Sequence, residues 1–248
     1  MKFLFIFLFL SVFGSYAQKS LRDSTVNTFL VGLNYKANLT GGDLADRWGF
    51  NNQLGVDVDH KFKNNLTVGI GGGFIFGSKL KDTSIFSDLY NSYGAITSLS
   101  GVPSDILFLM RGFTVYGSAG YVFNQLGNNP NSGLWVNAGL GYMMHKIRIE
   151  SLVDVVPQLE GDYKKGYDKL TMGFSTKQFI GYLYQSDWRL LKFYGGFEFS
   201  QGFTKNVRTY NFDTGGPETD LKLDLLYGFK VGWILPISHR TRSEYYYD

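Results

Sequence analysis

Three histidines, and a set of lysines and carboxylates spaced by even numbers of residues within each strand-like stretch, are the groups here with a capacity for acid–base or ionic chemistry. A hydrolase or acyltransferase needs a histidine beside a hydroxyl nucleophile and an acid. His145 is the one histidine on a polar strand face, and Ser200 and Glu198 occupy a polar face at similar height, two strands away. No Gly-x-Ser-x-Gly elbow accompanies them. His60 falls among apolar residues, and His239 lies near the C-terminus. The expected role of His145 is therefore a hydrogen bond at a rim, and the expected protein is not an enzyme.

Other chemistries are poorly served. Gly69–Gly73 has Phe74 where a phosphate-binding fingerprint needs its third glycine, and no helix pattern follows. Asp57-Val-Asp59 lacks the turn glycine and terminal glutamate of a calcium loop. The chain has no cysteine, which removes disulfides, thiolate zinc sites, cysteine nucleophiles and lipid-modified cysteine. No metal or cofactor is expected. The set Lys36, Asp57, Asp59, Lys192, Glu198, Asp224 and Lys230 suits mutual ion pairing, because lone buried charges are costly.

The elements that must carry these charges are strands. From Leu221 to Leu235 the odd positions read Leu, Leu, Leu, Tyr, Phe, Val, Trp, Leu, while the even ones include Lys222, Asp224, Gly228, Lys230 and Gly232. A period of two puts the sets on opposite faces. The same alternation runs from Phe29 to Lys36, Leu54 to Phe62, Leu66 to Phe76, Phe113 to Phe123, Leu134 to His145, about Leu170 to Tyr184, and Leu191 to Ser200. These patterns predict an all-β, eight-stranded antiparallel up-and-down transmembrane β-barrel, with grease outside and ions inside. A lumen that narrow holds side chains only.

Connections alternate in length. Residues 63–65, 124–133 and 185–187 form short turns, and residues 39–49, 79–105, 151–168 and 204–220 form long polar loops. Such barrels keep short turns periplasmic and long loops extracellular. Rings fall in two rows suited to membrane interfaces: Phe29, Phe62, Tyr121, Phe123, Tyr182, Tyr184 and Trp233 below, and Tyr35, Phe50, Phe74, Phe76, Tyr142, Phe174 and Phe199 above. Arg111 shares the outward register of Phe113, where an arginine at mid-membrane would cost about 2–4 kcal/mol. It is expected at the outer rim, or beside a bulge at Gly112.

Composition agrees. Aromatics make up 17% and charged residues 18%, below the usual ~25%. Lys2 followed by the apolar run 3–13 and Ser15-Tyr16-Ala17 reads as a secretion signal cleaved before Gln18. The expected organisation is a signal peptide at 1–17, an N-terminal periplasmic segment at 18–27, the barrel at 28–236 and a periplasmic tail at 237–248. Net charge is +3, and +2 without the signal, too balanced for nucleic-acid binding. The partners expected are outer-membrane lipid and a protein of the envelope, with any small ligand unspecified. Contact candidates are Phe86, Tyr90 and Tyr93 in the apolar-rich loop 79–105, and Arg240, Arg242, Tyr245, Tyr246 and Tyr247 in the tail.

The signal end Ser15-Tyr16-Ala17-Gln18, the strand Val68–Phe74 and the segment Tyr227–Trp233 resemble the small outer-membrane barrels of the Bacteroidota, of the OmpA/OmpX-like kind. Size and design are also similar to the PorG-type barrel, which joins the periplasmic ring of the type IX secretion and gliding apparatus to the outer membrane. The chain departs from common barrels in running past its final strand through Pro236 into a tail. The resemblance implies a non-enzymatic anchor or accessory subunit of an envelope complex. The alternative is a surface-binding or adhesion barrel using its long loops, with a lipid-modifying enzyme built on His145 as a third reading.

Overall fold

The computed structural model describes residues 24–152, 154–186 and 192–235. Eight antiparallel strands form a closed barrel, each pairing with the next and the last with the first. They are β1 (Thr28–Gly42), β2 (Asn51–Lys61), β3 (Leu66–Gly77), β4 (Ile106–Phe123), β5 (Gly133–Ser151), β6 (Thr171–Gln185), β7 (Lys192–Asn206) and β8 (Lys222–Ile234). A five-residue helix, α1 (Asp43–Arg47), links β1 to β2. The tight turn between β2 and β3 places Asn65 at φ 64°, a left-handed conformation that asparagine adopts more readily than most other non-glycine residues. Closure leaves no strand edge unpaired.

Polarity is inverted relative to a water-soluble barrel. Ile70, Val115, Phe229 and Val231 lie exposed on the outside, and Phe197 keeps 66% of its surface accessible. Their strand neighbours Asp57, Glu198 and Lys230 are buried in the lumen. The lumen is also layered. A lower apolar cluster joins Leu30, Val122, Trp135, Phe179, Leu183, Tyr194 and Ile234. A larger upper cluster contains Trp48, Ile75, Phe86, Met110, Met143, Ile147 and Leu226. The charges lie between these apolar layers.

Two features differ from the sequence expectation. β4 and β5 span 18 and 19 residues, against the ~9–11 that cross a bilayer. Their upper ends carry Met110, Ile147 and Ile149 inward and build a wall for the long loops. Loop 79–105 packs on itself and against that wall, as its apolar content suggests. Residues 84–89 form a 3-10 helix, and short bridges join Tyr90 to Ile96 and Thr97 to Pro103. Phe86 is therefore not an exposed contact residue: its accessibility is 0%, and its ring stacks on Phe108 at 4.0 Å. Burying an aromatic side chain against that wall is more favourable than leaving it in water by about 1.5–3 kcal/mol.

No bulge forms at Gly112; β4 stays in unbroken register with β3 and β5 there. Arg111 lies across from Phe76 and Lys146, donates to the Met110 carbonyl at 2.8 Å, and sits 5.9 Å from the centre of the Phe74 ring.

The inward glycines of β3 make room for the lumen charges. A Cβ on Gly71 would lie 2.4 Å from Asp57 Oδ1 and 2.7 Å from the Tyr116 ring. Both neighbours are held in place by other contacts, so Gly71→Ala is expected to lose about 1–3 kcal/mol, as overpacking does. Urea titration of the folded barrel measures this; Gly117→Ala, where a Cβ meets nothing within 4 Å, is the control.

Candidate functional site: the lumen ion cluster and the loop dome

Lys230 is the centre of the lumen cluster. Its ammonium lies 2.9 Å from Asp57 Oδ2 and 3.0 Å from Glu198 Oε2. Lys36 donates to the other Glu198 oxygen at 2.8 Å. Asp57 also accepts from Tyr116 at 2.6 Å, Tyr194 at 2.5 Å and Asn34 at 2.9 Å. Lys177 packs its ammonium 3.5 Å from the centre of the Tyr116 ring, a close cation–π contact. Asp59 is buried below, within the field of Lys177 and Lys230. Three lysines thus face three carboxylates. Such an arrangement satisfies buried ions and packs the bore.

Two residues expected in the cluster lie elsewhere. Asp224 sits higher, where it accepts from Thr204 at 2.5 Å and contacts His145 Nε2 at 2.7 Å. Lys192 is at the bottom of β7, across from Gln185 and roughly 20 Å along the strand from Glu198 at ordinary strand rise. The separation follows from register, since β8 and β7 enter the barrel from opposite ends. Asp224, not Ser200 or Glu198, is the partner of His145, and the same Asp224 oxygen accepts from the Thr204 hydroxyl, so the histidine is part of a buried hydrogen-bonded group. The cluster also includes Tyr116, Tyr194 and Lys177, which the sequence reading left out. For Tyr194 the inward parity was a sufficient signal.

The lower mouth is closed by polar contacts. Lys61 donates to Asn131 at 3.1 Å; the N-terminal segment crosses here, with Val26 N–H donating to Asn131 at 3.0 Å and Asn131 returning a bond to the Ser24 carbonyl at 2.9 Å.

Above the barrel, the loops form a dome. Lys169 is buried and pairs with Asp213 at 2.6 Å and Glu218 at 3.3 Å; Lys222 also bonds Glu218, and Arg208 pairs with Asp168. Burial would raise the Glu218 pKa, but the Lys222 hydrogen bond and the Lys169 charge outweigh it and hold the carboxyl down at about 2, against an ordinary 4.5. A lowered folded-state value means that this stabilisation is complete above the ordinary value and is lost as pH falls toward the folded one. Resistance of loop 207–221 to pepsin is thus expected to hold at pH 4.5 and to decline toward pH 2.

The outside of the dome is partly apolar. Tyr93 is 92% and Leu99 74% accessible, and Val102, Leu152 and Val155 are exposed nearby. Backbone bonds tie this region together: Leu99 N–H donates to the Val155 carbonyl at 2.9 Å, and Leu152 N–H to Asp105 at 3.0 Å. Tyr90 is less exposed. The tail candidates Arg240, Arg242, Tyr245, Tyr246 and Tyr247 lie outside the described residues, as does the signal segment 1–17.

On the outer wall the rings meet in pairs. Near the short-turn end Phe29 and Phe62 flank His60 at 4.5 Å each, Tyr121 meets Phe123 at 4.9 Å, and Tyr184 meets Phe193 at 5.0 Å. Tyr182 and Trp233 point outward at the same end. Near the dome Phe74 lies 5.1 Å from Phe113 and 6.2 Å from Phe76, Phe199 lies 6.4 Å from Tyr227, and Tyr35 donates to Asn52 at 2.5 Å. Phe50, Tyr142 and Phe174 are also exposed at that end.

No protein-family model matches this chain, and no curated protein does. Among solved structures it is similar to Ail, the attachment invasion locus protein of Yersinia pestis, at 8% identity over 85% of this chain and 99% of that one, with a TM-score of 0.44; that protein was solved in complex with the heparin analogue sucrose octasulfate. It is also similar to Neisserial surface protein A, at 11% identity over 82% of this chain and 95% of the other, with a TM-score of 0.42. These are likenesses of barrel form.

Proposed function

We propose that this protein is a non-enzymatic outer-membrane β-barrel: a sealed anchor that holds a folded dome of long loops at the cell surface for contact with another protein. The inverted polarity of the wall carries the reading. Exposed Phe, Val, Leu and Ile side chains circle the barrel while ions are buried within it, and only a hydrocarbon surround makes that arrangement favourable. The ring-rich rows at its two ends suit headgroup regions. The secretion signal supplies the route, and the short-turn end, with the N-terminal segment, faces the periplasm.

The bore is blocked in three layers: the lower apolar cluster, the ion cluster and the upper apolar core. Purified protein in planar bilayers is expected to show no sustained current. Frequent large openings would refute the sealed anchor. The surface of Tyr93, Leu99, Val102, Leu152 and Val155 is apolar and held by backbone bonds, which suits protein contact better than solvent. Affinity purification from native membranes in mild detergent is expected to recover a partner through the wild-type dome and to lose it with Leu99→Asp and Tyr93→Asp combined, while the barrel stays folded.

The narrower reading, an accessory subunit of the type IX secretion and gliding apparatus, rests on the sequence resemblance. It forecasts a different result: periplasmic ring proteins co-purify and survive the dome substitutions, because the lower rim or the tail would hold them.

A further inference from the structure

Of the lysines, arginines and carboxylates on the eight strands, only Arg111, Lys146, Arg148, Glu150 and Lys205 stand in outward register. All five lie toward the dome, and none lies between the two rows of rings. On β4, Arg111 is two residues beyond Phe113 and directly across from Phe76. On β5, Lys146 is four residues beyond Tyr142, and on β7, Lys205 is two beyond Phe203. At ordinary strand rise and tilt, those steps lift the charges above the rings by about 5–10 Å. That is the depth of the headgroup layer outside a hydrocarbon core of about 30 Å.

Arg111 and Lys146 face each other across the ladder of β4 and β5. Directly opposed residues have Cβ atoms about 4.5–5.5 Å apart, and like charges there are destabilising. Among the described residues, neither cation has a carboxylate to itself. Arg111 donates to the Met110 carbonyl at 2.8 Å and stands 5.9 Å from the centre of the Phe74 ring. Lys146 lies 4.0 Å from Asp168, whose two oxygens already accept from Arg208. Its side chain is 43% accessible. Arg148, two residues further along β5, differs: Glu150 neutralises it at 2.5 Å. Two adjacent cations are thus left in opposition on the outer wall, with donors to spare.

We propose that Arg111 and Lys146 form a binding site for a phosphate of an outer-leaflet lipid headgroup. The site rests on the membrane placement proposed above and gives that placement a defined lipid contact. A guanidinium and an ammonium on neighbouring strands can both donate to one tetrahedral anion. Phosphate between them turns an opposed like-charge pair into two attractive ones. A lipid suits the site better than a free anion, because the site opens sideways onto the wall. Directly beneath it the ladder row Phe74, Phe113 and Met144 offers outward apolar side chains to the acyl chains of the same molecule.

The full chain in a maltoside detergent, which carries no phosphate, is titrated with lipid A and with lipid A stripped of its phosphates. Removing the phosphates is expected to weaken binding about tenfold or more, as loss of charge-assisted hydrogen bonds does. Arg111→Gln/Lys146→Gln, with its unboiled gel shift intact, should show a similar loss for intact lipid A and little preference between the two lipids. Lys205→Gln removes an outward cation at similar height that faces Met172 rather than another charge, and should leave binding within about twofold. Excess inorganic phosphate should not displace the lipid. Equal affinity for the two lipids, wild-type affinity in the double variant, an equal loss from Lys205→Gln, or displacement by inorganic phosphate would overturn the proposal. The lipid comparison is made on the unaltered chain, so it decides even where a variant fails to fold. The chain has no cysteine, so Ile70→Cys reports the placement separately. Its labelling by a membrane-impermeant maleimide in native membranes would defeat the membrane placement itself, whereas protection of Ile70→Cys with binding blind to phosphate would defeat the lipid site alone.

Discussion

Lys230→Met is expected to lose about 3–5 kcal/mol of barrel stability, the typical loss when one partner of a buried ion pair is removed. Lys230 touches both Asp57 and Glu198, and all three side chains are almost wholly buried. Without the ammonium, the remaining Lys36 and Lys177 face three carboxylates in a bore closed above and below by apolar side chains. Methionine keeps most of the volume, so the loss reports charge rather than a cavity. Adding Asp57→Asn should recover part of it, because the amide removes the surplus charge and its carbonyl still accepts from Tyr116 or Tyr194. A coupling of roughly 1–3 kcal/mol between the two sites is expected. Urea titration of refolded protein in detergent, read by the unboiled gel shift, measures each variant. A Lys230→Met barrel within about 0.5 kcal/mol of wild type would show that the cluster is not what stabilises the bore.

The barrel was legible because alternation is local. A reader of Leu223, Phe229 and Val231 against Asp224 and Lys230 needs no long-range information to place them on opposite faces, and both faces are where parity puts them. The inside was legible by face but not by height. The same parity puts Leu226 and Ile234 inward, yet their membership of two different apolar layers depends on strand stagger, which residue types do not encode. Stagger also decides that His145 meets Asp224 across the lumen and not Lys230, which lies three pleat repeats lower on the same strand. Lys177 is hidden in the sequence for another reason: the outward face of its strand holds Thr176 and Gln178, which blur the contrast by which alternation is seen. The dome was the least legible part. Ile85, Phe86 and Ile96 stand out as apolar residues in a polar loop, but their destination is a wall built by β4 and β5 and by a second loop, contacts that lie far apart in sequence.

That dependence makes Phe86→Ala the sharper experiment on the dome. Phe86 is fully buried, stacks on Phe108 at 4.0 Å and on Tyr167 at 5.9 Å, and lies in a loop anchored through Leu80 to Trp48. Removing a buried phenylalanine ring typically loses about 3–5 kcal/mol. The barrel strands do not depend on this ring for their pairing, whereas the loop between β3 and β4 is ordered mainly by its apolar anchors. The loss should therefore fall on a local opening rather than on the whole molecule. Protease added to intact cells is expected to cut the variant within residues 79–105 at least tenfold faster than wild type, while the unboiled gel shift stays unchanged. Tyr93→Ala, which removes an exposed ring, should leave the cutting rate as it was. Equal cutting of Phe86→Ala and wild type would mean that the dome is held by its backbone bonds and ion pairs, and that its apolar core is incidental. Loss of the gel shift would mean that dome and barrel fold as one unit, in which case the surface offered to a partner and the anchor beneath it could not be altered separately.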